Sequence, residues 1–130
     1  MGKALERSKE VRAIVTPHYN CAQGVLVAFA DSMGVDEETA YKMGAQFGAG
    51  MKCGSVCGAI TGGLMVLGLL GAGDEKSAEY MKIMRSHHEN NIDCRDLLRS
   101  MAERGENKKE HCDGMVFESV RVIEKLMNLQ

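Results

Sequence analysis

The stretch from Cys53 to Gly73 constrains the fold more than any other part of the sequence. It contains no charged residue, whereas 26% of the residues in the whole chain are charged. From Val56 onward it is apolar on nearly every side of a helix, so it must lie inside a protein or a membrane. A helix of ~16 residues rises about 24 Å, which is less than a ~30 Å hydrocarbon core. The flanking segments are amphipathic, and we therefore predict a buried central helix rather than a membrane span.

Glycines recur within this stretch at a spacing that favours close helix packing. Gly54, Gly58 and Gly62 lie four residues apart, which would place them in a strip on one face of a helix. Neighbouring backbones can approach such a strip closely because glycine has no side chain. The same spacing resembles a membrane dimer motif and is also compatible with a homodimer. Ser55 is the predicted N-cap of the helix.

The rest of the chain predicts an all-α fold in one domain, residues 1–130. One proline, many helix-forming residues and few β-branched runs argue against strands. We expect a single helical bundle of about five to seven helices around the central apolar Gly-rich helix. Asn20, Asp36 and Asp93 are predicted N-caps. The predicted helices cover about 3–15, 21–33, 37–46, 56–70 and 74–86, with a short one after Asp93 and a last one from 112 or 113 to 127. The polar segment 102–111 is predicted to be a loop.

Composition narrows the functional classes. The net charge is -2 and the chain has three Phe and three Tyr, which gives no case for nucleic-acid binding. The N-terminal segment lacks the continuous apolar run of a signal peptide, so we expect a cytoplasmic protein. In that compartment five cysteines favour redox chemistry or metal binding over a permanent disulfide framework. The odd number leaves at least one thiol free in a monomer.

The positions of the cysteines carry the main functional inference. Cys21, Cys57 and Cys94 fall in predicted first turns of helices, and Cys112 directly precedes or begins the last one. Helix N-termini present unpaired N–H groups and about half a positive charge, which stabilises a thiolate. The thiolate is both the nucleophile and the metal ligand. Cys57 is the predicted best nucleophile, because glycines should also leave it accessible. The alternative is that these cysteines serve only in packing.

The spacing leaves metal binding open without specifying it. There is no Cys-x-x-Cys motif, and the one close pair is Cys53-x-x-x-Cys57. Wide gaps between the other cysteines are weak support for a structural zinc site. A cluster assembled by the fold could still hold zinc or an iron–sulfur centre. Its ligands would be Cys21, Cys57, Cys94 and Cys112.

The histidines are secondary candidates. His111 lies beside Cys112 in the sequence, and His18 lies near Cys21, so either could lower the pKa of a thiol or act as a base. His87 and His88 end a charged helix and are predicted to be solvated.

Three sequence segments together resemble a known family. The box Cys57-Gly58-Ala59-Ile60-Thr61-Gly62, the early Asn20-Cys21-Ala22-Gln23 and the late Asp93-Cys94-Arg95-Asp96 are similar to the bacterial and archaeal redox-active family named for its C_GCAxxG_C_C pattern. The resemblance covers about residues 18–127. It implies a small helical protein in which four cysteines are redox-active or bind metal, often encoded near transporter genes. The residues that match are Cys21, Cys57, Cys94 and Cys112, and Cys53 lies outside the pattern.

Three functions remain open at this stage. The first is a cytoplasmic thiol–disulfide protein with Cys57 as nucleophile and Cys21, Cys53, Cys94 or Cys112 resolving the mixed disulfide. The second is a zinc or iron–sulfur module with cysteine ligands. The third is a non-catalytic helical module that binds a transporter-associated protein. The sequence identifies no substrate, redox partner or cofactor.

Overall fold

A computed structural model describes residues 2–129 of the protein. Residues 1 and 130 of the predicted domain lie outside that range. The described residues fold into α-helices without a β-strand, and an isolated bridge joins Val56 to Asp93. This confirms the all-α prediction. The helices are α1 (Lys3–Arg12), α2 (Cys21–Ala28), α3 (Ala30–Met33), α4 (Glu37–Gly44), α5 (Gly58–Leu69), α6 (Asp74–Ser86), α7 (Cys94–Glu103) and α8 (Lys108–Leu126), with an irregular turn at Gly50–Gly54 between α4 and α5.

Side-chain caps explain where several helices begin. The Asn20 side chain accepts from the Gln23 backbone N–H at 2.8 Å, and the Gln23 side chain accepts from the Asn20 N–H at 2.8 Å. This reciprocal pair is a capping box, and it fixes Cys21 as the first residue of α2. Asp36 caps α4 by accepting from the Thr39 N–H at 2.7 Å. Both caps were predicted, but Ser55 is not a cap: α5 begins after Cys57.

The structure corrects three predicted helix boundaries. Helix α1 ends at Arg12 rather than near Val15, whose side chain is 84% exposed. The predicted helix 21–33 is divided at Phe29, which has non-helical backbone angles, and this division raises the number of helices above the predicted range. The predicted loop 102–111 is mostly helical, because α7 extends to Glu103 and α8 begins at Lys108.

The boundary at α8 has a physical cause that also relocates Cys112. The Asn107 side chain accepts from the Glu110 N–H at 3.2 Å, so this polar segment is capped as a helix. Cys112 is therefore in the second turn of α8 and not at its N-terminus, as the sequence had suggested.

The core is built around α2 at least as much as around α5. Every residue from Ala22 to Ala28 is buried, and α2 packs against α1, α4, α5 and α8. Helix α5 packs against α2, α6 and α8, but Leu69 at its C-terminal end is 51% exposed. The prediction that the Gly-rich helix is the centre of the bundle is therefore not confirmed. Within residues 2–129, no helix combines the length and apolar character needed to cross a membrane.

Candidate functional site: a cavity lined by four thiols

Four cysteines from four different helices line one small cavity of about 20 Å³. Cys21 is the first residue of α2, Cys57 precedes α5, Cys94 is the first residue of α7, and Cys112 is in α8. These are the four cysteines singled out from the sequence. They are far apart along the chain, from position 21 to position 112. Leu97, Met115 and His111 also line the cavity, so the thiols lie between the apolar core and a polar edge.

Glycines bring α5 and α2 together at this cavity. A Cβ added at Gly58 would lie 3.1 Å from the Ala22 nitrogen and 3.4 Å from the Cys21 Cβ. A Cβ at Gly62 would lie 3.0 Å from the Ala22 carbonyl oxygen. Such distances are tighter than most contacts of a real Cβ, so any larger residue would push the two helices slightly apart, and glycine favours this close approach. The predicted packing role of these two glycines holds, whereas Gly54 lies outside the helix in the irregular turn, with φ of 73°.

Backbone hydrogen bonds hold the start of α5 beside the start of α7. The Cys57 N–H donates to the Ile92 carbonyl at 2.8 Å, and the Cys94 N–H donates to the Ser55 carbonyl at 2.6 Å. The two bonds form a short antiparallel bridge that fixes Cys57 and Cys94 on opposite segments of one cavity wall. Gly50, with φ of 61°, lies against this bridge, and a Cβ there would be 2.8 Å from the Cys94 Cβ.

Cys21 and Cys112 are neighbouring thiols of this cavity whose pKa values shift in opposite directions. Interaction with Cys21 lowers the pKa of Cys112 to about 7, and the positive charges of Arg12 and Lys108 add to the effect. Interaction with Cys112, together with burial, raises the pKa of Cys21 well above its ordinary value. Cys112 is therefore the thiol of this pair that ionises first, and about half of it is thiolate near pH 7.

Three residues, Tyr19 and two from α8, hold Arg12 in place beside this pair. Its Nε donates to Asp113 Oδ1 at 2.7 Å and its NH1 group donates to the Tyr19 carbonyl at 2.7 Å. Lys109 Nζ donates to the Arg12 carbonyl at 3.0 Å and to both Asp113 carboxylate oxygens at 2.8 and 2.9 Å. The guanidinium is almost fully buried yet paired, so it supplies a fixed positive charge near the thiols.

The other two cavity thiols are less acidic than an ordinary cysteine. Burial raises the pKa of Cys57 to about 11, although backbone N–H groups of Ala59 and Ile60 partly oppose the shift. Burial also raises the pKa of Cys94. Cys57 does lie at a helix N-terminus as predicted, but it is only 5% exposed. Desolvation outweighs the helix dipole there, so the structure does not support ranking Cys57 first among the nucleophiles.

Cys53 is separate from this cluster. It is exposed on the irregular turn, and its Sγ donates to the Gly50 carbonyl at 3.5 Å. It does not line the cavity, although the sequence left it as a resolving candidate. All five cysteines are present as free thiols.

The histidines line different pockets, and His111 is shared between the thiol cavity and the pocket that contains His87 and His88. His111 lines the thiol cavity, and burial lowers its pKa, so it faces the thiols as a neutral ring at neutral pH. His87 Nδ1 and His88 Nε2 lie 3.2 and 3.1 Å from the Glu118 carboxylate. His88 is thus partly buried at 19% side-chain exposure, which corrects the prediction that both residues are solvated. Glu118 was not identified from the sequence, because no pattern links it to histidines about 30 residues away.

A larger and more open pocket of about 510 Å³ lies beside the thiol cavity. Cys21, Cys94 and Cys112 line both spaces, so three thiols can be reached from this side. The open pocket is also lined by Arg12, His18, Lys108 and Lys109, together with Asn20, Ala49, Leu98 and Asn107. Arg12 and Lys108 were missed from the sequence. Arg12 is nine residues from the nearest cysteine, and the segment that contains Lys108 was predicted to be a loop rather than the first turn of α8.

The donor set was also tested against the metal alternative. Within the described residues 2–129, no group of three or more His, Cys, Asp or Glu side chains is arranged so that it could hold a metal ion.

The fold and the site define an all-α protein in which four helices each contribute one cysteine to a shared, largely buried cavity. The family model described as "Putative redox-active protein (C_GCAxxG_C_C)" matches residues 19–126. The chain therefore belongs to this family, and the resemblance noted in the sequence is confirmed. No curated protein and no solved structure matches the chain.

Proposed function

We propose that the protein catalyses thiol–disulfide exchange, with Cys112 as the nucleophile and Cys21 as the resolving thiol. The observation that carries the proposal is that Cys21 and Cys112 line one cavity and share an open pocket with Arg12 and Lys108, where the pKa of Cys112 is lowered to about 7. An attacking thiol is most effective when its pKa is close to the ambient pH. Cys112 meets this condition near neutrality, whereas Cys57, with a pKa of about 11, does not.

The reaction balances with a substrate disulfide as the oxidant. The Cys112 thiolate attacks one substrate sulfur, a mixed disulfide forms, and the first substrate half leaves as a thiolate that takes a proton from water. Cys21 then loses its proton and attacks Cys112 Sγ, which releases the second half. Two cysteine thiols are oxidised to one disulfide, and the substrate disulfide gains the two electrons.

Cys57 and Cys94 supply a second pair of thiols in the same cavity. We propose that they receive the disulfide from Cys21 and Cys112 by a further exchange, which would explain why four thiols meet rather than two. The cycle needs a reducing compartment, and the cytoplasm fits that requirement. The redox partner that restores the thiols is a separate protein or small thiol of the same compartment.

The test is a thiol count on anaerobically purified protein before and after mild oxidation, with peptide mapping of any new disulfide. We expect the loss of two or four thiols, reversible with reductant, with Cys21 joined to Cys112 in the two-thiol product. Cys112→Ser should abolish the first oxidation, and Cys53→Ser should leave it unchanged. Full oxidation of Cys112→Ser at the wild-type rate would overturn the proposal.

The same sample decides the metal alternative. The observation in its favour is that Cys21, Cys57, Cys94 and Cys112 line one cavity. Elemental analysis showing about one zinc per chain, or iron with acid-labile sulfide, would replace thiol exchange by a structural or electron-transfer centre. Absence of metal together with five unreactive thiols would instead favour a packing role and a non-catalytic, transporter-linked partner module.

A further inference from the structure

We propose that the open pocket beside Cys112 binds a small disulfide that carries a carboxylate or another anionic group, with Lys108 as its anchor. The inference rests on the proposed thiol–disulfide exchange and adds the chemical class of its substrate. It follows from the charges, the size and the thiols of a single pocket.

The charges that line the open pocket are of one sign. Arg12, Lys108 and Lys109 contribute three cations, His18 is a fourth basic group, and no Asp or Glu is among the lining residues. Asp113 already pairs with Arg12 and Lys109 from behind. Lys108 is exposed and takes part in none of the ion pairs within residues 2–129, so its ammonium group is available to a ligand. A cleft lined by one sign of charge attracts and concentrates ligands of the other sign.

Three helices begin around this pocket and add to its positive potential. Helices α2, α7 and α8 start at Cys21, Cys94 and Lys108, all of which line it. Their first N–H groups carry partial positive charge that acts together with the lysine side chains. The helix ends alone would specify no ligand; here they surround a cavity that already contains an unpaired cation and three thiols.

The size and composition of the pocket favour a small molecule. Its volume of about 510 Å³ falls in the range of small-ligand sites, about 300–1,000 Å³. Leu98 and Ala49 add apolar surface to the lining of the pocket. A disulfide with a short carbon chain could place its carboxylate at Lys108 while a sulfur reaches Cys112, which is one helical turn further along α8.

In this arrangement the anionic group is bound but does not react. Cys112 attacks the substrate sulfur and Cys21 completes the exchange as described above, so the electrons and protons move as in the proposed function. The carboxylate fixes the orientation of the disulfide and raises its local concentration, which is the usual role of binding groups remote from the reacting bond.

The experiment compares three small disulfides of similar size and different charge: dianionic bis(carboxymethyl) disulfide, neutral bis(hydroxyethyl) disulfide and dicationic cystamine. The second-order rate constant for oxidation of the reduced protein is measured with wild type, Lys108→Ala and Lys125→Ala. Lys125 is the matched control, because it is an exposed lysine in the last turn of the same helix and does not line the pocket.

We expect Lys108→Ala to slow the dianionic disulfide about 3- to 10-fold more than the neutral one, the size of one well-placed charge pair. Using the ratio of the two rates cancels the smaller effect of Lys108 on the reactivity of Cys112. Added salt should reduce the rate of the dianionic disulfide and leave the neutral one nearly unchanged. Lys125→Ala should behave as wild type.

The two proposals fail in different ways. Equal effects of Lys108→Ala on all three disulfides, without a salt dependence for the dianionic one, would overturn the anionic substrate and leave the exchange reaction intact. Failure of the neutral disulfide to oxidise Cys112 in wild type would overturn the exchange reaction itself and this inference with it.

Discussion

At the scale of single residues, the chemistry of this site depends on how burial and charge divide four similar thiols. Desolvation raises the pKa of Cys57 and Cys94, and interaction with Cys112 together with desolvation raises the pKa of Cys21. Cys112 differs because its interaction with Cys21 and the positive charges of Arg12 and Lys108 outweigh its own desolvation. The negative charge of Asp113 opposes this shift but is itself paired with Arg12. A neighbouring thiol and two cations therefore select the reactive thiol.

This electrostatic selection predicts the pH dependence of Cys112 reactivity. Because its pKa is lowered to about 7, the thiolate fraction should increase from pH 6 to pH 8 and level off above pH 8. The rate of Cys112 alkylation by iodoacetamide, followed by peptide mapping, should have a midpoint near pH 7. Cys21→Ala removes the neighbouring thiol and should move the midpoint upward, whereas Cys53→Ser should not. A wild-type midpoint near 9 would show that Cys112 is an ordinary thiol.

At the scale of helices, the site depends on how closely α5 approaches α2. Gly58 and Gly62 face Ala22 of α2, and this contact carries Cys57 to within reach of the Cys21 side of the cavity. Gly68 is in the same helix, but a Cβ there would meet nothing within 4 Å. A comparison of Gly62 with Gly68 therefore tests whether α5 needs glycine for close packing or whether only helix propensity is affected by its replacement.

Gly62→Ala should destabilise the protein even though alanine is the better helix former. The added Cβ would lie 3.0 Å from the Ala22 carbonyl oxygen, which is backbone and cannot move aside cheaply. We expect a net loss of about 1–3 kcal/mol in the free energy of unfolding, as for other overpacked sites. Gly68→Ala should be neutral or stabilising by up to about 1 kcal/mol. Urea unfolding of both variants checks this, and equal stability of the two would contradict the close-approach argument.

The same helices show what the sequence could and could not predict. Caps such as Asn20 and Asp36, the all-α class and the four site cysteines follow from local patterns, because each depends on residues a few positions apart. The thiol chemistry does not, since the pKa of Cys112 depends on Arg12, which lies about a hundred residues earlier. Burial of Cys57 likewise depends on tertiary packing, and it raises the pKa of this thiol in a way that the sequence could not predict. The start of α8 was missed because a polar surface helix has little apolar periodicity to reveal it.

At the scale of the whole molecule, Cys21 and Cys112 join distant parts of one fold. They belong to α2 and α8, which pack against each other in the core, while most of the chain lies between them in sequence. Helix α8 also closes the bundle against α1, α5 and α6. Oxidation of this pair would therefore cross-link nearly the whole chain at a point where the folded structure already brings its ends together.

Oxidation of Cys21 and Cys112, which gives up two electrons to the substrate, should consequently also stabilise the fold. A disulfide that closes a loop of about 90 residues restricts the unfolded chain by up to about 4–5 kcal/mol, and local strain usually reduces the gain to about 2–4 kcal/mol. We expect the oxidised protein to unfold at a higher urea concentration than the reduced protein, with the difference absent in Cys21→Ala and retained in Cys53→Ser. By linkage, the same free energy favours disulfide formation in the folded protein. Cys21 and Cys112 are therefore oxidised more easily in the folded protein than in the unfolded chain. An oxidised form less stable than the reduced form would mean that the disulfide strains the α2–α8 contact, and the pair would then act as a ready oxidant instead.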